Sequence, residues 1–283
     1  MKTLNFISSF IFTFFFLSTF GQDVNIEVQK LSDKLYMLIG QGGNIGVSAG
    51  DDGIIIIDDQ FAPLTPKIIA ALKTISDKPV KYVVNTHHHG DHTGGNENLS
   101  KLGATIIAHD NVRKHLEDQP KEALPVLTFN DKMSVYINGE QVLVFHLDNA
   151  HTDGDSMLYF TKSNILHTGD IYFKDRYPYI DLNSGGSVNG YIEAIKQVLI
   201  IIDDDTKIIP GHGSVSNKKE YQDFLIMLAT LKTHVEKEIE AGKTEDEVAN
   251  NKDITKAYDD IGFGSGYINS EKIRRTFFKS LKN

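Results

Sequence analysis

Short apolar runs rich in β-branched residues alternate with longer amphipathic segments through most of the chain. Three such runs come first, each bounded by Gly, Asn, Lys or Asp: KLYMLIG (34–40), NIGVSAG (44–50) and GIIIIDD (53–59). This pattern is typical of short strands that follow one another in a meander. The segment TPKIIAALKTIS (65–76) instead has apolar residues at helical spacing, with Pro66 in the first turn, and it predicts a helix.

The rest of the chain continues this alternation. Further strands are predicted at 80–87, 104–110, 132–137, 140–148, 156–162, 163–170 and 206–212, and further helices at 94–103, 111–118, 188–200, 219–242 and 270–283. Each half of the chain thus contains strands followed by helices. Two sheets that pack face to face, with helices on their outer surfaces, would bury these elements, so we predict an α/β fold, a four-layer αββα sandwich.

The first residues differ from the rest of the chain. MKTLNFISSFIFTFFFLSTFGQ combines Lys2 near the start with an apolar segment to Phe20 and the small residue Gly21, which is the pattern of a secretory signal peptide. A membrane span needs about 20 apolar residues in a row, and Asn5 interrupts this run. We predict a signal peptide at 1–21, one domain at 22–283, export to the periplasm or medium, and no stable membrane insertion.

Composition narrows the partners that the protein can have. The 283 residues include no cysteine, so neither a disulfide nor a thiolate nucleophile is available. The formal net charge is −9 and Lys and Arg are not clustered, which disfavours nucleic acid and anionic membranes as partners. A small-molecule substrate remains the expected partner.

The chemistry is concentrated in VVNTHHHGDHTGG (83–95), directly after a predicted strand. Neutral imidazoles are good ligands for Zn²⁺, and Asp supplies an anionic oxygen. In extended backbone His87 and His89 lie on one face and can bind one ion together. Gly90 lets the chain turn, so that Asp91 and His92 can face a second ion, while His88 points away and packs or supports a ligand.

Three later strand ends supply further candidate ligands. They are His151 in DNAHTDGDS, Asp170 in ILHTGDIY and His212 in IIPGHGS, each flanked by Gly or another turn residue. Isolated histidines are more often structural than metal-binding. We interpret His109, His115, His146, His167 and His234 in this way.

Together these motifs carry a resemblance. HHHGDH, AHTDGD, HTGD and PGHG, in this order and downstream of IIIIDD, resemble the five sequence motifs of the metallo-β-lactamase superfamily from about Asn25 to His212. The resemblance implies an αββα sandwich with a dinuclear site at the rim between the sheets. It implies two Zn²⁺ ions as the cofactor, with iron or manganese as the other metals that His and Asp suit.

The resemblance also implies a role for each motif residue. The first ion would be bound by His87, His89 and His151, the second by Asp91, His92 and His212, and both by Asp170. Asp58, the first aspartate of IIIIDD, would hold a ligand histidine in place through a hydrogen bond. The two ions would share a hydroxide and direct it at a carbonyl carbon. Asp91 would orient that hydroxide and pass its proton to the leaving group, which makes it the catalytic residue.

The substrate is left open among several classes. One β-lactam-cleaving branch has cysteine where this chain has Asp170 and lysine where it has Phe173. The resemblance therefore favours an ester, lactone, thioester or cyclic amide, with a periplasmic β-lactamase as the alternative. A glyoxalase II-like thioesterase and a non-hydrolytic metal or redox protein of the same fold are further alternatives. His89 disfavours the redox alternative, since flavodiiron proteins have glutamate there, and the net charge of −9 disfavours an RNA-processing nuclease.

Three other features lie near the motifs. Lys174 and Arg176, shortly after Asp170, are candidates to bind a substrate carboxylate, although charged loops are usually solvated. The segment GQGGNIGV (40–47) fits either a flap over the site or an ordinary Gly-rich hairpin. The aromatic residues Tyr172, Phe173, Tyr177 and Tyr179 fit either a pocket wall or the core.

Overall fold

The computed structural model describes residues 24–282. The predicted signal peptide at 1–21 lies outside the described residues. Within the described part no helix is both long and apolar enough to cross a membrane.

The first sheet has seven strands that lie side by side in chain order. They are β1 (Glu27–Lys30), β2 (Leu35–Ile39), β3 (Ile45–Gly50), β4 (Gly53–Ile57), β5 (Val80–Val84), β6 (Thr105–His109) and β7 (Leu127–Phe129). Strands β1 to β4 are antiparallel, as expected for a meander. Strands β4 to β7 are parallel and are joined by helical crossovers.

The second sheet has six strands in the spatial order β13-β12-β11-β10-β9-β8. They are β8 (Lys132–Ile137), β9 (Glu140–His146), β10 (Ser156–Phe160), β11 (Ile165–His167), β12 (Lys207–Ile209) and β13 (Ser216–Asn217). Only the β11–β12 pair is parallel, because the helix between these strands returns the chain to the same end of the sheet.

Helices connect and cover the sheets. The α-helices are α1 (Thr65–Ile75), α2 (Gly90–Thr93), α3 (Asn96–Lys101), α4 (Asp110–His115), α5 (Val188–Ile201), α6 (Lys218–Glu240), α7 (Glu245–Asn250), α8 (Lys256–Asp259) and α9 (Ser270–Lys282). Short 3₁₀ helices lie at Ala62–Leu64, Lys121–Ala123, Gly169–Ile171, Leu182–Ser184, Lys252–Ile254 and Phe263–Ser265.

Alternation along β4 shows how the layers form. Ile55 and Ile57 face the second sheet, where they pack in one core with Val144 and Leu158. The alternate residues Ile54 and Ile56 face the opposite way and pack in a second core beneath α1 and α3. A third core lies between the second sheet and helices α5, α6 and α9. The predicted four-layer αββα sandwich is therefore confirmed.

Candidate metal centre

The motif residues lie at one edge of the two sheets, where several strands end. Strand β5 ends at Val84, and the chain then forms a loop and the short helix α2, which together carry the histidine cluster. His151 lies between β9 and β10, Asp170 lies in the 3₁₀ helix after β11, and His212 lies between β12 and β13. Apolar strands thus end in polar loops that converge, as the sequence predicts.

A first group of ligand atoms comes from His87, His89, His151 and Asp170, all within 4.8 Å of one another. His89 Nδ1 lies 3.1 Å from His87 Nε2 and 2.9 Å from His151 Nε2. Asp170 Oδ2 lies 3.6 Å from His151 Nε2 and 3.9 Å from His87 Nε2. We call these four side chains the first group.

A second group consists of Asp91, His92 and His212. Asp91 Oδ2 lies 3.4 Å from His212 Nε2 and 3.6 Å from His92 Nε2. The other oxygen of Asp170, Oδ1, lies 3.1 Å from His92 Nε2 and 3.4 Å from His212 Nε2. Asp170 therefore presents one carboxylate oxygen to each group, as a bridging residue would.

Hydrogen bonds fix the ring orientation of four of these histidines. In each ring the nitrogen that faces away from the centre has its own partner: Thr86 Oγ1 for His87, Asp181 Oδ2 for His89, Asp58 Oδ2 for His92 and the Tyr179 carbonyl for His151. These acceptors take one ring N–H, so in the neutral form of each ring the nitrogen that faces the centre carries the lone pair. The rings are thus oriented as metal ligands are.

Asp58 forms the hydrogen bond that the resemblance implies. Its carboxylate accepts from His92 Nδ1 at 2.7 Å, from the Thr86 main-chain N–H at 2.7 Å and from the Thr86 hydroxyl at 2.8 Å. Because the Thr86 hydroxyl donates to Asp58, it is left to accept from His87. The Asp58 carboxylate therefore orients one histidine of each group, His92 directly and His87 through Thr86. The backbone of Asp58 has the uncommon positive φ of 63°.

Two buried polar atoms show that the residues fit a metal. His92 Nε2 and Asp170 Oδ1 have no hydrogen-bond partner within the described residues, although they lie 3.1 Å apart. Buried polar groups without a partner are costly. A cation between them would satisfy both atoms.

The electrostatics of the centre also favours positive charge. Burial lowers the pKa of His87 and lowers that of His151 to about 4, so both rings are neutral. Burial has the same tendency at His92 and His212, but nearby carboxylates outweigh it. Asp170 and Asp58 raise the pKa of His92 well above its usual range, and Asp170 and Asp91 raise that of His212 to about 9. Cations in the centre would replace these protons.

Asp91 lies at the boundary between the centre and solvent. Burial alone would raise its pKa, but the hydrogen bond from His212 and the nearby His92 outweigh burial and hold the pKa below the usual value. The carboxylate is therefore ionised and can accept a proton. Its side chain keeps 27% of its exposure and lines a cavity over the centre.

This cavity has a volume of about 420 Å³. Its lining combines residues of the centre with apolar, aromatic and cationic side chains: Phe61, His89, Asp91, Asp170, Phe173, Arg176, Tyr177, Tyr179, His212, Tyr267 and Ile268. Phe173, Tyr177 and Tyr179 thus form part of the wall, and Tyr177 also packs in the core. Tyr172 does not line the cavity and packs in the core against Tyr221. Phe61, Tyr267 and Ile268 are wall residues that the sequence did not indicate.

The two cationic candidates have different surroundings. Arg176 lines the cavity. Lys174 does not, because its Nζ binds the Glu220 carboxylate at 2.9 Å and the Val215 carbonyl at 3.1 Å. Lys174 thus has these partners in place of a position in the cavity wall, and its contact with a substrate carboxylate stays a prediction.

His88 points away from the first group, as the alternation in the motif predicts. Its ring stacks on His115, with 4.1 Å between ring centroids. Ligand atoms of His88, His89 and Asp181 also lie within 4.8 Å of one another, but a hydrogen bond already joins His89 to Asp181.

The other histidines make structural contacts. His109 stacks on His146 with 3.8 Å between centroids, and His115 pairs with Asp153 at 2.8 Å. His167 contacts the Asn44 carbonyl, and His234 contacts the Ile254 carbonyl.

Comparison with known proteins agrees with this fold. Residues 39–213 match the model of the metallo-beta-lactamase superfamily, and the chain therefore belongs to this superfamily. It is 30% identical to the hydroxyacylglutathione hydrolase of Pelagibacter ubique (strain HTCC1062) over 53% of this chain and 59% of that protein. It is 25% identical to the 2,4-dinitroanisole O-demethylase subunit alpha of Nocardioides sp. (strain JS1661) over 76% of this chain and 66% of that protein.

Solved structures show the same fold. A metallo-beta-lactamase from Pontibacter korlensis matches 72% of this chain and 99% of its own, with a TM-score of 0.65 and 20% identity. The DIM-1 metallo-beta-lactamase matches 74% of this chain and 99% of its own, with a TM-score of 0.63 and 17% identity.

The chain spans little more than half of the hydroxyacylglutathione hydrolase, at 59% of its length.

Proposed function

We propose that the protein is a hydrolase that binds two divalent cations, most simply Zn²⁺, and cleaves an ester, thioester or lactone. The observation that carries the proposal is the position of Asp170, whose two oxygens face the two ligand groups. The first group, in which His87 and His151 are neutral, and the second group, with an ionised aspartate, would each hold one cation. When bound, such a pair of cations activates water and polarises a carbonyl group.

The side chains of the protein supply the remaining chemistry. The ionised Asp91 carboxylate lines the cavity, where it can accept a proton from the attacking water and deliver it to the leaving group. Phe173 stacks on His212, with 5.0 Å between centroids, and limits the ways in which a substrate can approach. No serine or cysteine nucleophile is needed.

Asp170 also bears on the class of substrate. Its carboxylate adds negative charge between the two groups. This charge would make cations bound there less electrophilic and less able to stabilise a poor leaving group. Substrates with good leaving groups, such as thioesters, activated esters and lactones, are favoured over β-lactams. The similarity to a hydroxyacylglutathione hydrolase supports the same choice.

A hydrolysis panel tests this proposal. Protein reconstituted with Zn²⁺ is assayed against lactones, thioesters, activated esters, phosphodiesters and β-lactams, and kcat/KM is compared. We expect the largest value for a lactone, ester or thioester. A preference for a penicillin or carbapenem with both groups loaded would replace this proposal with a β-lactamase, and a preference for a phosphodiester would exclude carbonyl chemistry as the main activity.

Arg176 supports a further detail of the substrate. It is the one Lys or Arg among the described residues that line the cavity, so an anionic group of the substrate would find its charge partner there. Arg176→Ala should raise KM for substrates that carry a carboxylate and leave KM for their methyl esters unchanged. An equal change for both would remove Arg176 from substrate binding.

We also propose that the protein is exported, because residues 1–21 have the composition of a signal peptide. Expression of the full chain in a bacterial host, followed by fractionation and mass measurement, tests this. A periplasmic or secreted product that begins at Gln22 is expected. A full-length cytoplasmic product would contradict export.

A further inference from the structure

The turn between β2 and β3 lies against the loop that carries His212. Asn44, at the end of this turn, is 3% exposed. Its side-chain Nδ2 donates to the carbonyls of Pro210 and Gly213, each at 2.8 Å, and its main-chain N–H donates to the Gly211 carbonyl at 2.7 Å. A single residue therefore binds carbonyls on both sides of His212.

The same turn also lies against the helix that carries Asp91 and His92. The N–H of Gly43 donates to the Asp91 carbonyl at 3.1 Å, and Gln60 Nε2 donates to the Gly43 carbonyl at 2.7 Å. A Cβ atom at Gly43 would lie 2.2 Å from Cε1 of the His92 ring. Glycine is therefore required at position 43, because the ring occupies the space that a side chain would need.

These hydrogen bonds attach the turn to the loop of His212 and to the helix of Asp91. Of the two interpretations of GQGGNIGV, a flap or an ordinary Gly-rich hairpin, the contacts favour the hairpin. They join the turn to Asp91 and to the residues on either side of His212 by hydrogen bonds, and to the His92 ring by packing. Among the hydrogen bonds found across residues 24–282, none joins Gly43 or Asn44 to His87, His89 or His151.

The first group is held by a different residue. Asp181 accepts from His89 Nε2 at 3.1 Å, and its main-chain N–H donates to the His151 carbonyl at 2.9 Å. Asn44 therefore supports the surroundings of the second group and Asp181 those of the first, in addition to Asp58, which orients one histidine of each group.

We propose that Asn44 is a positioning residue for the second cation. By holding the His212 loop against a turn that also contacts Asp91 and His92, it sets the distance between the three ligands of the second group. The proposal rests on the proposed two-cation function. It predicts that loss of the Asn44 amide weakens binding of the second cation and leaves the first unchanged.

Two substitutions test the Asn44 amide, one by removing it and one by replacing it with a carboxylate. Asn44→Ala removes both side-chain donors. Asn44→Asp keeps the size and shape but replaces the donors with a carboxylate that repels the carbonyls of Pro210 and Gly213. Both variants should weaken the second cation by roughly 10- to 100-fold, the usual effect of losing a group that orients metal ligands.

Asn138 offers a matched control at the opposite end of β3. It is 4% exposed, and its Nδ2 donates to Ser48 Oγ at 3.2 Å and to the Gly53 carbonyl at 3.0 Å. Asn138→Ala therefore removes the same amide group from a buried position away from the centre. It should lower the thermal unfolding temperature without changing either dissociation constant for Zn²⁺.

The measurement is a titration of metal-free protein with Zn²⁺ in competition with a chromogenic chelator, which yields a dissociation constant for each cation. A loss at one of the two binding steps only, the same step in both Asn44 variants and absent from Asn138→Ala, supports the proposal. Equal weakening of both cations, an unchanged second cation, or failure of both Asn44 variants to fold would overturn it. Wild-type protein that binds fewer than two cations would instead refute the proposed function.

Discussion

The Asp181 carboxylate accepts a hydrogen bond from His89 Nε2 at 3.1 Å and so decides which nitrogen of that ring faces the first group. Burial alone would raise the pKa of Asp181, but hydrogen bonds from the Ser184 hydroxyl and from His89 outweigh burial and keep the pKa low. The Asp181 carboxylate is therefore charged. Its hydrogen bond with Nε2 makes the other ring nitrogen of His89, Nδ1, a better electron-pair donor to a cation.

Removal of this carboxylate should affect the first cation. Asp181→Ala is expected to weaken its binding by roughly 10- to 100-fold, with Asp181→Asn less affected because the amide oxygen can still accept from His89. Titration with Zn²⁺ and a competing chelator measures both variants. A loss confined to the second cation would contradict the assignment of Asp181 to the first group.

The two ligand groups predict the metal content of the protein. We expect about two divalent cations per chain in active protein, loss of activity on chelation, and recovery with Zn²⁺. Elemental analysis of protein with measured activity checks the number. A single cation in fully active protein would rule out the dinuclear centre.

Asp91 and His88 are near neighbours in the sequence with very different surroundings. Asp91→Asn removes an anionic ligand and a proton carrier together, so turnover should fall by about a hundredfold or more. His88→Ala should be much milder, because its ring stacks on His115 and faces away from the first group. Steady-state kinetics measures the turnover of both variants. Equal losses of turnover would mean that the wrong residues of the motif are assigned to the metal.

Asp170→Ala removes the carboxylate shared by the two groups. Its Oδ1 atom is nearest to the second group, at 3.1 Å from His92, so occupancy of the second group should fall first. The fold should persist, since the six other proposed ligands remain and the Tyr191 hydroxyl still binds the main-chain carbonyl of residue 170. Metal analysis alongside circular dichroism separates the two effects, and global unfolding of the variant would contradict this expectation.

Cation binding to the second group should release protons. In the metal-free protein Asp170 raises the pKa of His212 to about 9 and that of His92 well above its usual range. Both rings are therefore protonated at pH 7, and cations must displace about two protons. Fewer protons should be released at pH 9, where His212 has already lost part of its proton. Calorimetry in buffers of different ionisation enthalpy counts them, and a proton count that rises with pH would contradict the assigned charges.

The sequence predicted the layers of the fold because its hydrophobic pattern is local. The continuous apolar run of β4 and the helical spacing in α1 each concern one element, and the structure contains both where expected. Short elements such as β7 (Leu127–Phe129) and β13 (Ser216–Asn217) were not predicted, because two or three residues are too few to establish a period.

The candidate ligands were predictable for a different reason. They lie in motifs at strand ends, and the resemblance to a family assigned a role to each. The residues that support them lack such a signal. Asp181 acts on a histidine 92 positions earlier, and Asn44 acts on carbonyls 166 and 169 positions later. Lys174 was a candidate to bind substrate, and the sequence did not indicate its ion-pair partner, Glu220, which lies 46 positions away at the start of α6.

Both ligand groups combine residues that follow β5 in the first sheet with residues from loops of the second sheet. In a chain without cysteine, a cation in either group would be a cross-link between the two sheets. His212 is also the last of these ligands to leave the ribosome, long after the histidines of HHHGDH. The second group therefore cannot form until most of the chain has been translated and has folded, and the cation it takes is drawn from the compartment in which folding finishes.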